Sequence, residues 1–421
     1  MLDLKFIREN PERVSSGSRN KNEPDRVHEV LVLDEQRRAI IGTVETLKHE
    51  KNTASQQIAQ SRKSGQDATD AITAMRQVSD RIQEMDNQLR EVELQLHESL
   101  LRIPNPPDVD LPVGDESHNR EIRCWGEPPS FAFKPLPHWE LGEALGIFDA
   151  TASANVAGSG FTVLKRDGAR LQRALINFML DTHRARGYEE YRLPYLVTPR
   201  TMTGTGQLPK LAEDMYRIES DDVYLIPTAE VPLTNLSADS IIPQSHLPQR
   251  MAAYTPCFRR EAGAHGKDTR GMMRVHQFDK VELVKIVEPE SSPDEHESLT
   301  ADAEAILRAL KLPYRVRLLA TGDLSFAAAR CYDLEVHAAG VDAWLEVSSC
   351  SNFRDFQARR MGLRIRPADG GKPYFPHTLN GSALALPRTM IAIWENYQTA
   401  RGTIRIPDAL IPFMGGQTEI A

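Results

Sequence analysis

The chain has 421 residues, 40% hydrophobic and 26% charged, with a formal net charge of −8. That leaves room for one large domain and a smaller one and argues against a generally basic nucleic-acid binder, though not against a local basic patch. Its four cysteines, Cys124, Cys257, Cys331 and Cys350, have neither CxxC pairing nor zinc-finger histidine spacing. This excludes a zinc ribbon or a disulfide framework and points to a reducing cytoplasm. MLDLKFIREN at the start has no signal-like apolar run, and no stretch approaches the roughly 20 apolar residues of a membrane span, so no membrane partner is expected.

From Val27 to Ile103 aromatic residues are missing, and apolar residues return at alternating intervals of three and four. The first half carries Val30, Leu33, Ile40, Val44, Leu47, Ala54 and Ile58, with Arg37 and Lys51 also at seam positions. The second carries Met75, Val78, Ile82, Met85, Leu89, Val92 and Leu96. This spacing predicts two heptad-patterned helices. Between them Arg62 to Ala68 contains Gly65, which suits a chain reversal, and Asp67, which suits a helix cap. An antiparallel hairpin follows, its first helix running from about Val27 to Arg62 and reaching roughly 54 Å at about 1.5 Å per residue. Taken alone, such a hairpin reads as an oligomerisation element.

The Pro-rich run from Ile103 to Gly114 breaks the helix and marks a boundary, giving predicted domains 1–103 and 104–421. Beyond it β-prone runs alternate with helical ones such as RLQRALINFMLDTHRARG. Arg259 follows the apolar stretch AAYTPCF and precedes Gly263 and Gly266, so it is expected where a strand enters a loop. In LEVSSCSN, Trp344, Glu346 and Ser348 alternate with Leu345, Val347 and Ser349, a strand pattern with one face on a site. Glu346 and Ser349 offer the oxygen ligands that Mg²⁺ prefers. Arg388 opens an apolar helical run whose Met390, Ile391, Ile393 and Trp394 are expected to pack inward.

Phe258 to Val284, FRREAGAHGKDTRGMMRVHQFDKVELV, resembles motif 2 of the class II aminoacyl-tRNA synthetases. Together with TAEVPLTN at Thr228 to Asn235, SSCSNFRDFQARRM at Ser348 to Met361 and HTLNGSALALPRTMIAIWEN at His377 to Asn396, the resemblance narrows to the bacterial-type seryl-tRNA synthetase family. It covers nearly the whole chain. It implies an α+β fold, an antiparallel sheet flanked by helices, preceded by a long antiparallel coiled-coil hairpin. The implied activity is ATP-dependent activation of L-serine to seryl adenylate, then transfer to the 3′ end of tRNA-Ser, and of tRNA-Sec as well.

The resemblance also assigns roles. Arg259 becomes the α-phosphate clamp and Arg388 the γ-phosphate contact, with Glu346 completing the catalytic set. Arg260, Glu261, Val275, Val347, Ser348 and Ser349 are further ATP contacts, and Phe278 is the ring on which adenine stacks. Mg²⁺ falls to Glu346 and Ser349. Thr228, Ala229 and Glu230 bind serine near its ammonium, while Glu282 and Ser382 meet its hydroxyl. A pocket that pairs with this hydroxyl rejects alanine, which would leave the pocket's polar groups unpaired.

In the same family the hairpin lies against tRNA-Ser, which would employ Lys48, Lys51, Arg62, Lys63, Arg76 and Arg81 on phosphates. Gln172 through Pro194 resembles motif 1, a long helix and strand that build a homodimer interface. An adenylating enzyme that loads a carrier protein and a noncatalytic protein of the same fold are competing readings. The intact arm opposes the first, and retention of Arg259, Glu261, Glu282, Glu346 and Arg388 opposes the second. His337, Ala383 and Pro387 depart from the pattern. Ala383 is expected to crowd a backbone approach, Pro387 to remove a donor beside Arg388, and a specialised paralogue stays open.

Overall fold

The computed structural model describes residues 1–65, 67–262 and 270–421; Gly263 and Gly266 lie outside them. The chain divides into two units, Met1–Pro104 and Asn105–Ala421. In the first, short helices Leu4–Glu9 and Pro11–Asn20 precede the arm helices Val27–Lys63 and Thr69–Leu101. Cross-helix contacts Arg37–Glu93, Lys48–Asp86 and Ser55–Met75 ascend one helix while descending the other, so the pair is antiparallel.

The reversal uses Gly65 at φ +71, where a side chain would be strained. Asp67 accepts the Thr69 N–H at 3.0 Å and its hydroxyl at 2.6 Å, tying down the start of the second helix. Val30, Val44, Leu47, Ile58, Ile82 and Leu96 are buried along the seam. Heptad spacing does not reveal Asp34, which is fully buried. Its charge is compensated by Arg8 at 2.8 Å, from the first short helix, and by Arg38 at 3.1 Å.

The second unit is built on an eight-stranded sheet. In chain order the strands are β1 (Arg120–Trp125), β2 (Glu189–Glu190), β3 (Gln249–Phe258), β4 (Gln277–Val287), β5 (Tyr314–Leu318), β6 (Arg330–Ala338), β7 (Ala343–Asn352) and β8 (His377–Ala385). Their spatial order is β1-β5-β6-β7-β8-β4-β3-β2, antiparallel throughout except where the two-residue β2 joins β3. Helices Asp167–Ala185, Ser292–Ala309 and Leu386–Asn396 pack on the sheet. The first buries Leu171, Leu175, Phe178 and Met179. The motif 1 strand is the two-residue β2, and Pro194 lies beyond its end. Among the described residues no helix is long and apolar enough to cross a membrane.

Two β-bulges lie in the strands nearest the site. Leu334 of β6 pairs with Ser348 of β7 but Glu335 pairs with Glu346, leaving Val347 as the extra residue. Ser382 of β8 pairs with Glu282 of β4 while Ala385 pairs with Lys280, a second one-residue shift. A bulge resets the alternation of side chains, and both resets decide which residues face the cleft.

Candidate active site

A cleft of about 660 Å³ opens over β4, β7 and β8. From β4, Phe278, Lys280 and Glu282 project into it at every second residue, as one face of a strand must. The bulge in β7 brings Glu346 and Ser349 to the cleft although they are three apart, whereas strict alternation would put them on opposite faces. It also turns Ser348 away from the expected ATP contact. The buried Ser348 hydroxyl donates to the Ser382 carbonyl at 2.6 Å.

Thr228, Glu230, Arg259, Glu261, Val275, Val347, Ser382 and Arg388 line the same cleft. Three expected site residues present no side chain there. Ala229 is fully buried in an apolar cluster with Leu233 and Met251. Arg260 is exposed, and its backbone N–H donates to the Asp214 carbonyl at 2.8 Å. Ser348 is the third. Ala383 is buried and absent from the lining, so its methyl does not crowd the cleft. Pro387 occupies the first turn of its helix, where the missing N–H has no intrahelical partner to lose. His337 packs edge-on against Trp344 at 5.3 Å, filling space between neighbouring strands.

Two arginines of the cleft are anchored by backbone carbonyls. Arg259 donates Nε to the Pro227 carbonyl at 3.3 Å and stacks over the Phe278 ring at 5.2 Å. Arg388 donates Nε to the Met273 carbonyl at 3.2 Å and Nη1 to the Glu346 carbonyl at 2.8 Å. Glu261 sits at φ 51, an uncommon backbone for glutamate, and pairs with Arg274 at 3.2 Å. The Glu346 carboxylate is about half exposed, with 48% of its side chain accessible. With the Ser349 hydroxyl it forms an all-oxygen donor pair, which fits Mg²⁺, a cation that takes few protein ligands beside phosphates and water. Behind them Asp333 is pushed well above the usual carboxyl range by burial and by the Glu346 charge.

A second set of lining groups is buried: Glu230, Glu282 and Lys280. Glu230 accepts from Gln357 Nε2 at 2.6 Å, and burial, reinforced by the Glu282 charge, raises its carboxyl to about 7. Glu282 forms an ion pair with Lys280 and accepts from Asn380 Nδ2 at 3.2 Å. Lys280 also donates to the Thr228 hydroxyl at 3.0 Å, which takes the Glu230 N–H at 3.2 Å as well. With both lone pairs used, that hydroxyl remains a donor. Lys280 and Asn380 were missed in the sequence. Lys280 lies midway between Phe278 and Glu282, and Asn380 two residues before Ser382, so the period of two was the signal that places both.

Residues 1–107 match the family model of the seryl-tRNA synthetase N-terminal domain, and residues 215–397 match the tRNA synthetase class II core domain (G, H, P, S and T). The chain is 53% identical to the serine–tRNA ligase of Thermomicrobium roseum, over 100% of its own length and 95% of that protein. Among solved structures it is similar to the Pyrococcus horikoshii seryl-tRNA synthetase complexed with ATP, at 37% identity and a TM-score of 0.96, covering 100% and 99% of the two chains. The Naegleria fowleri cytoplasmic enzyme in complex with AMP gives 30% identity and a TM-score of 0.90, covering 100% and 98%.

Proposed function

The chain belongs to the seryl-tRNA synthetase family and is an ATP-dependent serine–tRNA ligase; we propose that its cleft divides between ATP at the arginine end and serine at the acidic end. The observation that carries this division is the convergence of Arg259, Arg388, Glu346 and Ser349 on the same cleft as Glu230, Glu282 and Ser382.

Serine binds with its ammonium against Glu230, a buried carboxylate whose side-chain hydrogen-bond partner is the neutral Gln357 amide. Its hydroxyl lies between Glu282 and Ser382, cross-strand neighbours on β4 and β8. The Thr228 hydroxyl donates toward the substrate carboxylate. That carboxylate attacks the ATP α-phosphorus, the bond to pyrophosphate breaks, and seryl adenylate forms. Arg259 neutralises charge growing on the α-phosphate, Arg388 holds the terminal phosphates, and Phe278 supports the adenine ring. Glu346 and Ser349 hold Mg²⁺, which supplies charge neutralisation on the phosphates when bound. A terminal ribose hydroxyl of the tRNA then attacks the acyl carbonyl and AMP leaves.

The Met1–Pro104 unit is the tRNA-binding domain, its arm gripping tRNA-Ser, and tRNA-Sec as well. Lys63 and Arg62 are exposed at the arm's tip, as are Arg76 and Arg81 on its shaft. The Asn105–Ala421 unit is the catalytic domain. A homodimer built on the Asp167–Ala185 helix and a cytoplasmic setting complete the reading. ATP–pyrophosphate exchange across the amino acids, followed by charging of purified tRNA, tests it. Exchange driven by an amino acid other than serine would sink it.

A further inference from the structure

The far limb of the ATP loop, Met272 to Val275, lines the cleft on both sides of Arg274. What fixes its height lies outside the cleft. Glu395, near the end of the helix that Arg388 begins, is fully buried and accepts four N–H groups. His138 contributes its backbone N–H and ring Nδ1, both at 2.8 Å to one carboxylate oxygen. Gly340 and Val341 give backbone N–H groups at 2.8 and 3.0 Å to the other. The Met272 backbone N–H, which can only donate, points at His138 Nε2, so Nδ1 carries the ring proton.

His138 Nε2 is consequently the lone-pair nitrogen, and it accepts the Met272 backbone N–H at 3.1 Å. Two further observations mark this as a fitted contact. Gly271 has φ +68, and a Cβ there would stand 2.2 Å from His138 Nε2, so the limb approaches the ring as closely as a glycine permits. Arg270 stacks over the adjoining Trp139 at 4.8 Å. One residue beyond Met272, the Met273 carbonyl accepts from Arg388 Nε at 3.2 Å.

We propose that His138 is a positioning residue for ATP: fixed in its Nδ1–H tautomer by Glu395, it holds the Met272–Val275 limb where Met273 orients Arg388 and Val275 faces the nucleotide. Serine is bound by other elements, Thr228 to Glu230 and the β4–β8 pair, which do not touch His138. The inference rests on the assignment of the arginine end to ATP.

The test is pyrophosphate exchange by the full chain with the KM for ATP and for serine measured separately. Loss of one hydrogen bond of about 1 kcal/mol corresponds to roughly fivefold, and loss of limb order adds to it. His138→Gln is therefore expected to raise the ATP KM about fivefold to tenfold while the serine KM stays within about twofold. A merely structural role would move both constants together or lower kcat alone, and either result overturns the proposal. His138 is fully buried, so Gly271→Ala, which pushes on the same contact from the partly exposed position before the limb, provides the second measurement. If His138→Gln does not fold, an unchanged ATP KM in folded Gly271→Ala overturns the proposal and a selective rise supports it. Absence of serine-dependent exchange in the unmutated chain overturns the functional reading itself, and this inference with it.

Discussion

Arg388 stands 3.6 Å from the Glu346 carboxylate while its Nη1 bonds the Glu346 carbonyl at 2.8 Å. The proposed phosphate clamp and the proposed metal carboxylate are therefore one electrostatic unit rather than two independent sites. Groups in such contact couple, so their mutational effects should not add. Arg388→Ala is expected to lower pyrophosphate exchange on the order of a hundredfold, and Glu346→Gln to raise the Mg²⁺ concentration needed for half-maximal exchange. The double variant should lose less than the product of the two single losses. Strict multiplicativity in that cycle would show that the two groups act separately.

Arg259→Ala tests the α-phosphate assignment alone. Its guanidinium donates to a loop carbonyl and lies over Phe278, so truncation removes no buried ion pair and the fold should persist. Exchange is expected to drop by about a hundredfold, roughly 3 kcal/mol of transition-state stabilisation. Near wild-type exchange in a protein with unchanged circular dichroism would remove Arg259 from the chemistry.

Glu230 supplies a pH signature. Burial first, then the Glu282 charge, raises its carboxyl to about 7. Below that pH the group is neutral and a poor partner for an ammonium; above it the group is charged. Because kcat/KM reports ionisations of the free enzyme, kcat/KM for serine should climb with pH through about 7 and level off above it. Glu230→Gln should be much less active and lack that rise. The stability linkage has the opposite direction. A raised folded-state value stabilises the fold fully below the ordinary carboxyl range, and this contribution is lost as pH rises through about 7. Thermal unfolding of Glu230→Gln should therefore show a flatter dependence between the ordinary value of 4.5 and about 7, the window in which the folded and unfolded states differ in protonation.

Lys280 and Glu282 should behave as a buried pair. Lys280→Met leaves the Glu282 carboxylate without its cation, and breaking a buried pair costs about 3–5 kcal/mol. Its melting point and serine KM should both worsen. Glu282→Gln keeps an acceptor for the serine hydroxyl but loses the pair. Serine over alanine discrimination should narrow as the polar groups left unpaired by alanine become fewer. Unaltered discrimination in Glu282→Gln would place hydroxyl recognition elsewhere.

The hairpin was legible because its helices are long and its seam repeats. Asp34 escaped because a single residue buried with Arg8 and Arg38 leaves the surrounding periodicity intact. At the site, the resemblance named Arg259, Glu346 and Arg388, which line one cleft, but faces were another matter. Neither bulge is visible in LEVSSCSN or HTLNGSALA, since a bulge depends on what the neighbouring strand pairs with. Strict alternation therefore cannot bring Glu346 and Ser349 together, nor exclude Ser348. Lys280 was legible and overlooked. His138 was not, because only the fold brings Glu395, Gly340 and Met272 around it.

The proposed tRNA-binding role of the arm predicts that adenylate formation and transfer can be separated. The cleft residues all belong to the Asn105–Ala421 unit, so nothing in the adenylate chemistry calls on the hairpin. Transfer requires a tRNA held so that its terminal hydroxyl reaches the activated carbonyl, a positioning role for which a 37-residue helix with exposed Arg62 and Lys63 at its tip is suited. Phosphate contacts of this kind weaken with added salt as counterions are no longer released to advantage. Deleting about Val30 to Leu100 and closing the gap should leave serine-dependent exchange largely preserved while tRNA charging falls by orders of magnitude. The intact protein's affinity for tRNA should decline as salt rises, and Arg62→Ala with Lys63→Ala should reduce that salt slope. Undiminished charging by the shortened protein would return the hairpin to an oligomerisation role, which sedimentation of the two proteins would then reveal.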